Sequence, residues 1–235
     1  MNDHLNSRGE MLAAWSGPAV IVGFMIPWIF FIGWFQPPPP SLGAAEIATV
    51  FQQNTFGIRL GMMLLTYAGA MNTFFGGIIM IYMLRMKGPS PLYAYTQFGS
   101  AVVSSVIFIV CALMWEGVAF RPERPSDITQ FGNDMTWLIF DMSTSPPFIQ
   151  WIALGLAVLM DEGSPPVFPR WFGYYNFWSA LLFIPSSLIT FFKTGPFSWA
   201  GVFGWYFVLT DFCVWYIVTF VMLVKAIKRQ QSASA

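Results

Sequence analysis

The chain has 235 residues, 56% hydrophobic and 9% charged, with zero formal net charge and a mean hydropathy of +0.60. Soluble domains carry about 25% charged residues, so this composition is that of an integral membrane protein, an all-α bundle by the length of its apolar runs. Lys225, Lys228 and Arg229 form too small a basic stretch for nucleic-acid binding. The one histidine, His4, excludes paired-histidine haem, di-iron histidine boxes and histidine-rich copper or zinc sites within the chain.

Residues 1–12 read as a polar N-terminal tail, and residues 13–35 as a first span, too long for a signal-peptide core and read as uncleaved, with Pro18 and Pro27 as bends. Gln36-Pro37-Pro38-Pro39-Pro40 is a stiff polyproline exit. The segment after Ser41 places Leu42, Ile47, Val50 and Phe51 on one apolar face and predicts a short interfacial helix, a connector or a lid. A second span covers about 58–84, with Gly57, Gly61, Gly69, Gly76 and Gly77 as a small-residue surface for close helix packing. A third covers about 92–119, with Ser104-Ser105 at its centre.

In the polar loop that follows, Asp127 with Gln130 reads as a helix start. A fourth span then covers about 134–160, a fifth about 169–192 and a sixth about 198–224, making a six-span membrane domain over 13–227 with a polar tail at 228–235. With six spans both termini share a side. Arg8, Arg85, Lys87, Arg170, Lys225, Lys228 and Arg229 fall there, against Arg59, Arg121, Arg124 and Lys193 opposite, which predicts N-in and C-in. The turns at 88–93 and 163–168 resemble one another and could mark repeated hairpins.

The fourth span carries the chemistry. Asp134, Trp137, Asp141 and Ser145 are spaced to share one helical face, and Pro146-Pro147 removes two backbone donors, so the helix is expected to break there. Asp141 would lie roughly 9 Å from the membrane midplane at 1.5 Å per residue. Asp211 is the central residue of the sixth span, and Asn72 and the Ser104-Ser105 pair fall at similar depth. Ionisable groups at that depth face the bundle interior or water. A polar cavity open to the outer half of the membrane is therefore expected, with Asp211 and Asp141 as candidate catalytic groups. Glu116, Asp134, Arg59, Asn72, Trp137 and Trp205 are the candidate binding residues.

Each has a structural alternative. Asp211 could be hydrogen-bonded to a Thr or Tyr hydroxyl, Glu116 could pair with Arg121 or Arg124, and Arg59 could pair with a carboxylate. Asn72 and the serines could join helices, and the aromatic run at 171–178 reads mainly as belt and packing. Cys111 and Cys213 lie in apolar spans and read as buried thiols. There is no Walker loop, GxGxxG or GxSxG element, and neither a cofactor nor a metal is expected.

The runs at 168–201 and 119–140 resemble a family of small multi-span bacterial inner-membrane proteins, a likeness that implies a membrane fold and the inner membrane but no mechanism. A second resemblance, of chemistry rather than descent, is to the integral-membrane terpene cyclases, in which an intramembrane glutamate and an aspartate of the last span protonate an alkene or epoxide. Trp115-Glu116 and Asp211 match those acids in type, with six spans in place of seven and the glutamate in the third span rather than the second. Three functions remain open. The first is an acid–base enzyme of isomerase, cyclase or hydratase type on a small hydrophobic molecule, since a carboxylic acid taken out of water favours its neutral, proton-donating form. The second is a non-catalytic subunit of a larger membrane complex. The third is a transporter of a small amphipathic solute or proton. The lipid bilayer is a partner in all three.

Overall fold

The computed structural model describes residues 2–234, with side chains described for residues 8–232. All the regular structure among these residues is helical. Helix α1 (Asn2–Ile26) starts within the segment read as a tail and continues through Pro27–Ile32 as a wider π-type turn. Pro27 brings no N–H to the ladder, so the hydrogen-bond register shifts there. Gly33, at φ 78°, then ends the helix in the left-handed conformation that glycine adopts without a Cβ clash.

Helix α2 (Ala44–Gln53) follows the polyproline segment, its first turn closed by the Gly43 N–H donating to Glu46 Oε2 at 2.8 Å. Ile47 and Phe51 are buried and Glu46, Thr49 and Gln52 exposed, so the helix is amphipathic as its sequence predicts. Helices α3 (Thr55–Leu84) and α4 (Pro91–Ala119) begin within three residues of the expected starts and end where expected. They pack closely. A Cβ on Gly76 would stand 2.5 Å from that of Ala101, so the packing requires glycine at this position.

Helix α5 (Ser126–Met142) is separated from α6 (Ser145–Met160) by Ser143-Thr144 alone. Pro146 and Pro147 do not terminate a helix. They sit in the first turn of α6, where a missing N–H costs no ladder bond, and the interruption lies just ahead of them. Helix α7 (Arg170–Phe183) changes to a tighter 3₁₀ helix over Ile184–Phe191, at Pro185. A π-type turn over Val202–Tyr206 leads into α8 (Phe207–Ser234).

Five stretches are long and apolar enough to cross a membrane: Arg8–Ile32, Thr55–Leu84, Pro91–Ala119, Ser126–Met160 and Val202–Ser232. The chain is accordingly an integral membrane protein. The 14 residues of α7 and the 8 that follow give a shorter regular helix than the fifth span predicted.

At one end of the bundle Glu10, on α1, pairs with Arg85 beyond the end of α3, and Arg85 Nη1 also donates to Gln230 Oε1 of α8 at 2.6 Å. Burial disfavours the Arg85 charge, but the Glu10 carboxylate outweighs it, and the guanidinium pKa lies above its ordinary value. Both termini therefore lie at this end. So does the end of α6, since the Glu162 N–H donates to Lys87 O at 2.9 Å.

The other end is closed by aromatic residues. Trp28, Trp199 and Trp205 donate their indole N–H groups to the carbonyls of Trp34, Pro38 and Phe35, at 2.7, 2.9 and 3.0 Å. The chain leaving α1 here is not helical, so its carbonyls need other donors, and the indoles supply them for Trp34, Phe35 and Pro38. Between the two ends the core divides into two clusters. One is built around Phe75, Tyr82, Trp151, Phe172 and Trp215, and the other around Phe24, Trp28, Trp115, Trp137 and Trp205.

Candidate functional site

Where the two clusters part, a cavity of about 90 Å³ remains, partly open and lined mainly by aromatic side chains. Trp151, Phe183, Trp215 and Tyr216 come from one cluster and its margin, and Phe24, Phe108, Phe140 and Trp205 from the other. At roughly 30 Å³ per water the volume suits a few waters or a compact organic group. Three irregular pieces of backbone reach it. These are the α5–α6 interruption through Ser143 and Thr144, the 3₁₀ segment through Ser186, and the π-type turn before α8 through Trp205.

Asp141 stands on this wall at 6% exposure. Its Oδ2 has no hydrogen-bond partner, and no Lys, Arg or His is among the described residues that line the cavity. Its main-chain carbonyl is engaged, accepting from Ser186 Oγ at 2.9 Å, which fixes the last turn of α5 against the 3₁₀ segment. A buried carboxyl left without a partner loses its hydration with no protein bond to offset it. The Trp151 Nε1–H is a second unpartnered buried group on the same wall, and the buried Gln150 side chain also lines it.

The remaining sequence candidates fall in other places. Asp211 is buried but does not line the cavity: it accepts from Ser179 Oγ of α7 at 3.1 Å, and its Oδ2 has no partner. On α8 the cavity takes Val208, Leu209, Phe212, Trp215 and Tyr216, an arc that stops about 40° round the helix from Asp211. Asp141 and Asp211 are thus not assembled into one site. The hydroxyl on Asp211 is a serine of α7, rather than the Thr or Tyr considered from sequence.

Asn72 forms a second layer. It accepts from Tyr216 Oη at 2.6 Å and donates to Ala101 O and Ser105 Oγ, both at 3.0 Å, so its hydrogen bonds hold α8, α3 and α4 together behind the cavity. Trp215, also on the wall, is fixed from behind by its Nε1–H donating to Asn176 Oδ1 at 2.9 Å.

Arg59 and Glu116 pair with each other at 3.1 Å in a separate shallow groove, with the Arg59 guanidinium over the Phe120 ring. Glu116 does not pair with Arg121 or Arg124, as considered from the loop, because Arg59 of the neighbouring helix reaches it first. Asp134 is half-buried beside Asn133, and Trp137 is buried in the tryptophan cluster with its Nε1 unpartnered. Neither lines the cavity, and Ser145 is exposed on α6, so the expected face of the fourth span contributes Asp141 alone. Of the predicted binding residues, Trp205 is on the wall.

Sequence reasoning missed Gln150 and Trp151. A buried amide in the otherwise apolar run 148–160 was the available signal for Gln150. Trp151 has no local signature that separates it from ten other tryptophans. Cys111 is a buried free thiol, whereas Cys213, read as buried, is only half-buried, and no cluster of metal-ligating side chains occurs among the described residues. Comparison of the chain with protein-family models, curated proteins and solved structures finds no match.

Proposed function

We propose that the chain is a six-crossing protein of the bacterial inner membrane that holds a small, largely hydrophobic molecule in the cavity beside Asp141. The observation that carries this reading is the buried Asp141 carboxyl, unpartnered, on the wall of an aromatic cavity within a lipid-spanning bundle. A sixth crossing by Arg170–Phe191 is supported by its ends. Arg170 donates to Leu159 O at the terminal end of the bundle, and Trp199, soon after Phe191, is held against Pro38 at the other. Its helical length of roughly 21 Å plus roughly 16 Å suffices for a core of about 30 Å. An N-in, C-in arrangement follows from the excess of Lys and Arg at the end where Glu10, Arg85 and Gln230 meet.

Chemistry of isomerase, cyclase or hydratase type needs a proton donor and a proton acceptor at the reacting atoms. Asp141 could supply one of these roles, and Asp211 lies outside the cavity, so binding is better supported than a two-carboxylate reaction. Transport is a second reading, favoured by the three irregular helix segments that meet at the cavity, since interrupted helices commonly frame transporter sites.

The test is mass spectrometry of small molecules that co-purify with the wild-type protein and with Ser104→Phe, in which a phenyl ring occupies the cavity. A molecule present in wild type and lost from a stably folded Ser104→Phe protein is the expected result. Identical profiles from the two proteins would overturn the assignment. Proteoliposome uptake of the molecule so identified would separate transport from retention.

A further inference from the structure

We infer that the cavity beside Asp141 is built for an organic ammonium, a protonated amine carrying an apolar body, with the carboxylate of Asp141 as its counter-ion. This rests on the binding-cavity reading above and adds the chemical class of the ligand.

The polar groups around the cavity favour positive charge. Asp141 lies in the last turn of α5, the end at which the helix dipole is negative and where a carboxylate is itself disfavoured. The neighbouring start of α6 does little to compensate. Of its first four residues, Pro146 and Pro147 have no N–H, and the Phe148 N–H is used by Thr144 O at 3.0 Å. Ser143 and Thr144 add hydroxyl oxygens to the same wall. Negative charge is thus gathered at one point of the cavity, and no lining side chain among the described residues carries a positive one.

The rest of the wall has the complementary property. Aromatic rings attract cations through their negative faces, most strongly where water is excluded, and Phe24, Phe108, Phe140, Trp151, Phe212 and Trp215 all contribute to the wall. A neutral apolar ligand would leave the Asp141 carboxyl unpartnered, and an anion would be repelled. An ammonium meets the carboxylate, the helix end and the rings at once. The volume of about 90 Å³ takes a head of that size, with the apolar body leaving through the open side. The unpartnered Trp151 Nε1–H can serve an acceptor atom on the same ligand.

The experiment uses the full chain in lipid nanodiscs, titrated with n-hexylamine and with 1-hexanol. The intrinsic tryptophan fluorescence and the unfolding temperature are followed in wild type, Asp141→Asn, Asp141→Leu and Asp211→Asn. Hexylamine is expected to bind wild type at least tenfold more tightly than hexanol. That preference is expected to vanish in both Asp141 variants and to persist in Asp211→Asn, with the two Asp141 variants guarding against a folding defect in either. Equal binding of amine and alcohol to wild type would overturn the ammonium assignment while leaving the cavity reading intact. An amine preference that survives in the Asp141 variants would place the amine in the lipid or elsewhere and would also overturn it. If neither probe changes the fluorescence or the unfolding temperature, the cavity reading fails as well.

Discussion

Replacing Asp141 by leucine should stabilise the ligand-free protein. The side chain is 6% exposed, its Oδ2 accepts no hydrogen bond, and it occupies the last turn of α5. Leaving a buried polar group unpaired costs about 1–3 kcal/mol, and an acid at a helix C-terminus adds about 0.3–1 kcal/mol. Leucine has a similar branched shape, its greater bulk can extend into the adjoining cavity, it removes both penalties, and it breaks no side-chain hydrogen bond of Asp141. A gain of about 2 kcal/mol follows, equivalent to an unfolding midpoint about 4–8 °C higher for a chain of this length. Asp211→Leu is the internal comparison. It abolishes the bond from Ser179 Oγ and leaves that hydroxyl buried without a partner, so its effect should be neutral or destabilising. Both are measured by thermal unfolding of the purified proteins in the same lipid nanodiscs. A lower midpoint for Asp141→Leu would mean that Asp141 is held by protein partners, and the reasoning from its isolation would be refuted. On the proposed binding role, stability and function oppose one another here: the group that destabilises the empty protein would be the one that meets the ligand.

Four further substitutions test the surroundings of the site. Asn72→Ala removes three hydrogen bonds joining α3, α4 and α8, each worth about 0.6 kcal/mol at membrane depth, so a loss of about 2 kcal/mol is expected in the same unfolding assay. Tyr216→Phe should lose only about a third of that, and a larger loss than Asn72→Ala would contradict the assignment. Asp161 accepts from the N–H groups of Lys87, Gly163 and Val167 at 3.1, 2.9 and 2.7 Å. Asp161→Ala should destabilise by about 2 kcal/mol and open the 161–169 loop to protease, whereas unchanged cleavage would show that these bonds do not order it. Arg59 and Glu116 are 44% and 29% exposed, so Glu116→Gln should change stability by less than about 1 kcal/mol and leave hexylamine binding unaltered. Loss of amine binding in that variant would move the site to the groove of Arg59 and Glu116.

The limits of sequence reading are visible in individual residues. Long, predominantly apolar runs define α3 and α4, because length and hydropathy alone suffice there. That both acids sit inside long apolar segments was legible, and both are buried, but the direction each faces was not legible. Asp141 and Asp211 each sit within an apolar segment, and only the packing of α7 against α8 turns the second towards Ser179. Pro146-Pro147 marked the region of the interruption but not its position, since a proline pair ends one helix or begins the next, and the surrounding packing decides which. The aromatic run at 171–178 reads mainly as belt and packing, and Trp137 and Trp205 as binding residues. Trp15, Trp171 and Trp178 are indeed exposed, but Trp28, Trp199 and Trp205 are buried and donate to a strap of backbone carbonyls.

The most direct test is an experimental density map of the wild-type protein purified in lipid. If the cavity is a ligand site, density for a compact group should lie between Asp141, Trp151 and Trp205, within hydrogen-bond distance of the Asp141 carboxylate. A well-resolved map in which these aromatic side chains have closed the space, with Asp141 bonded to neighbouring protein groups, would contradict the assignment of a binding site to this chain.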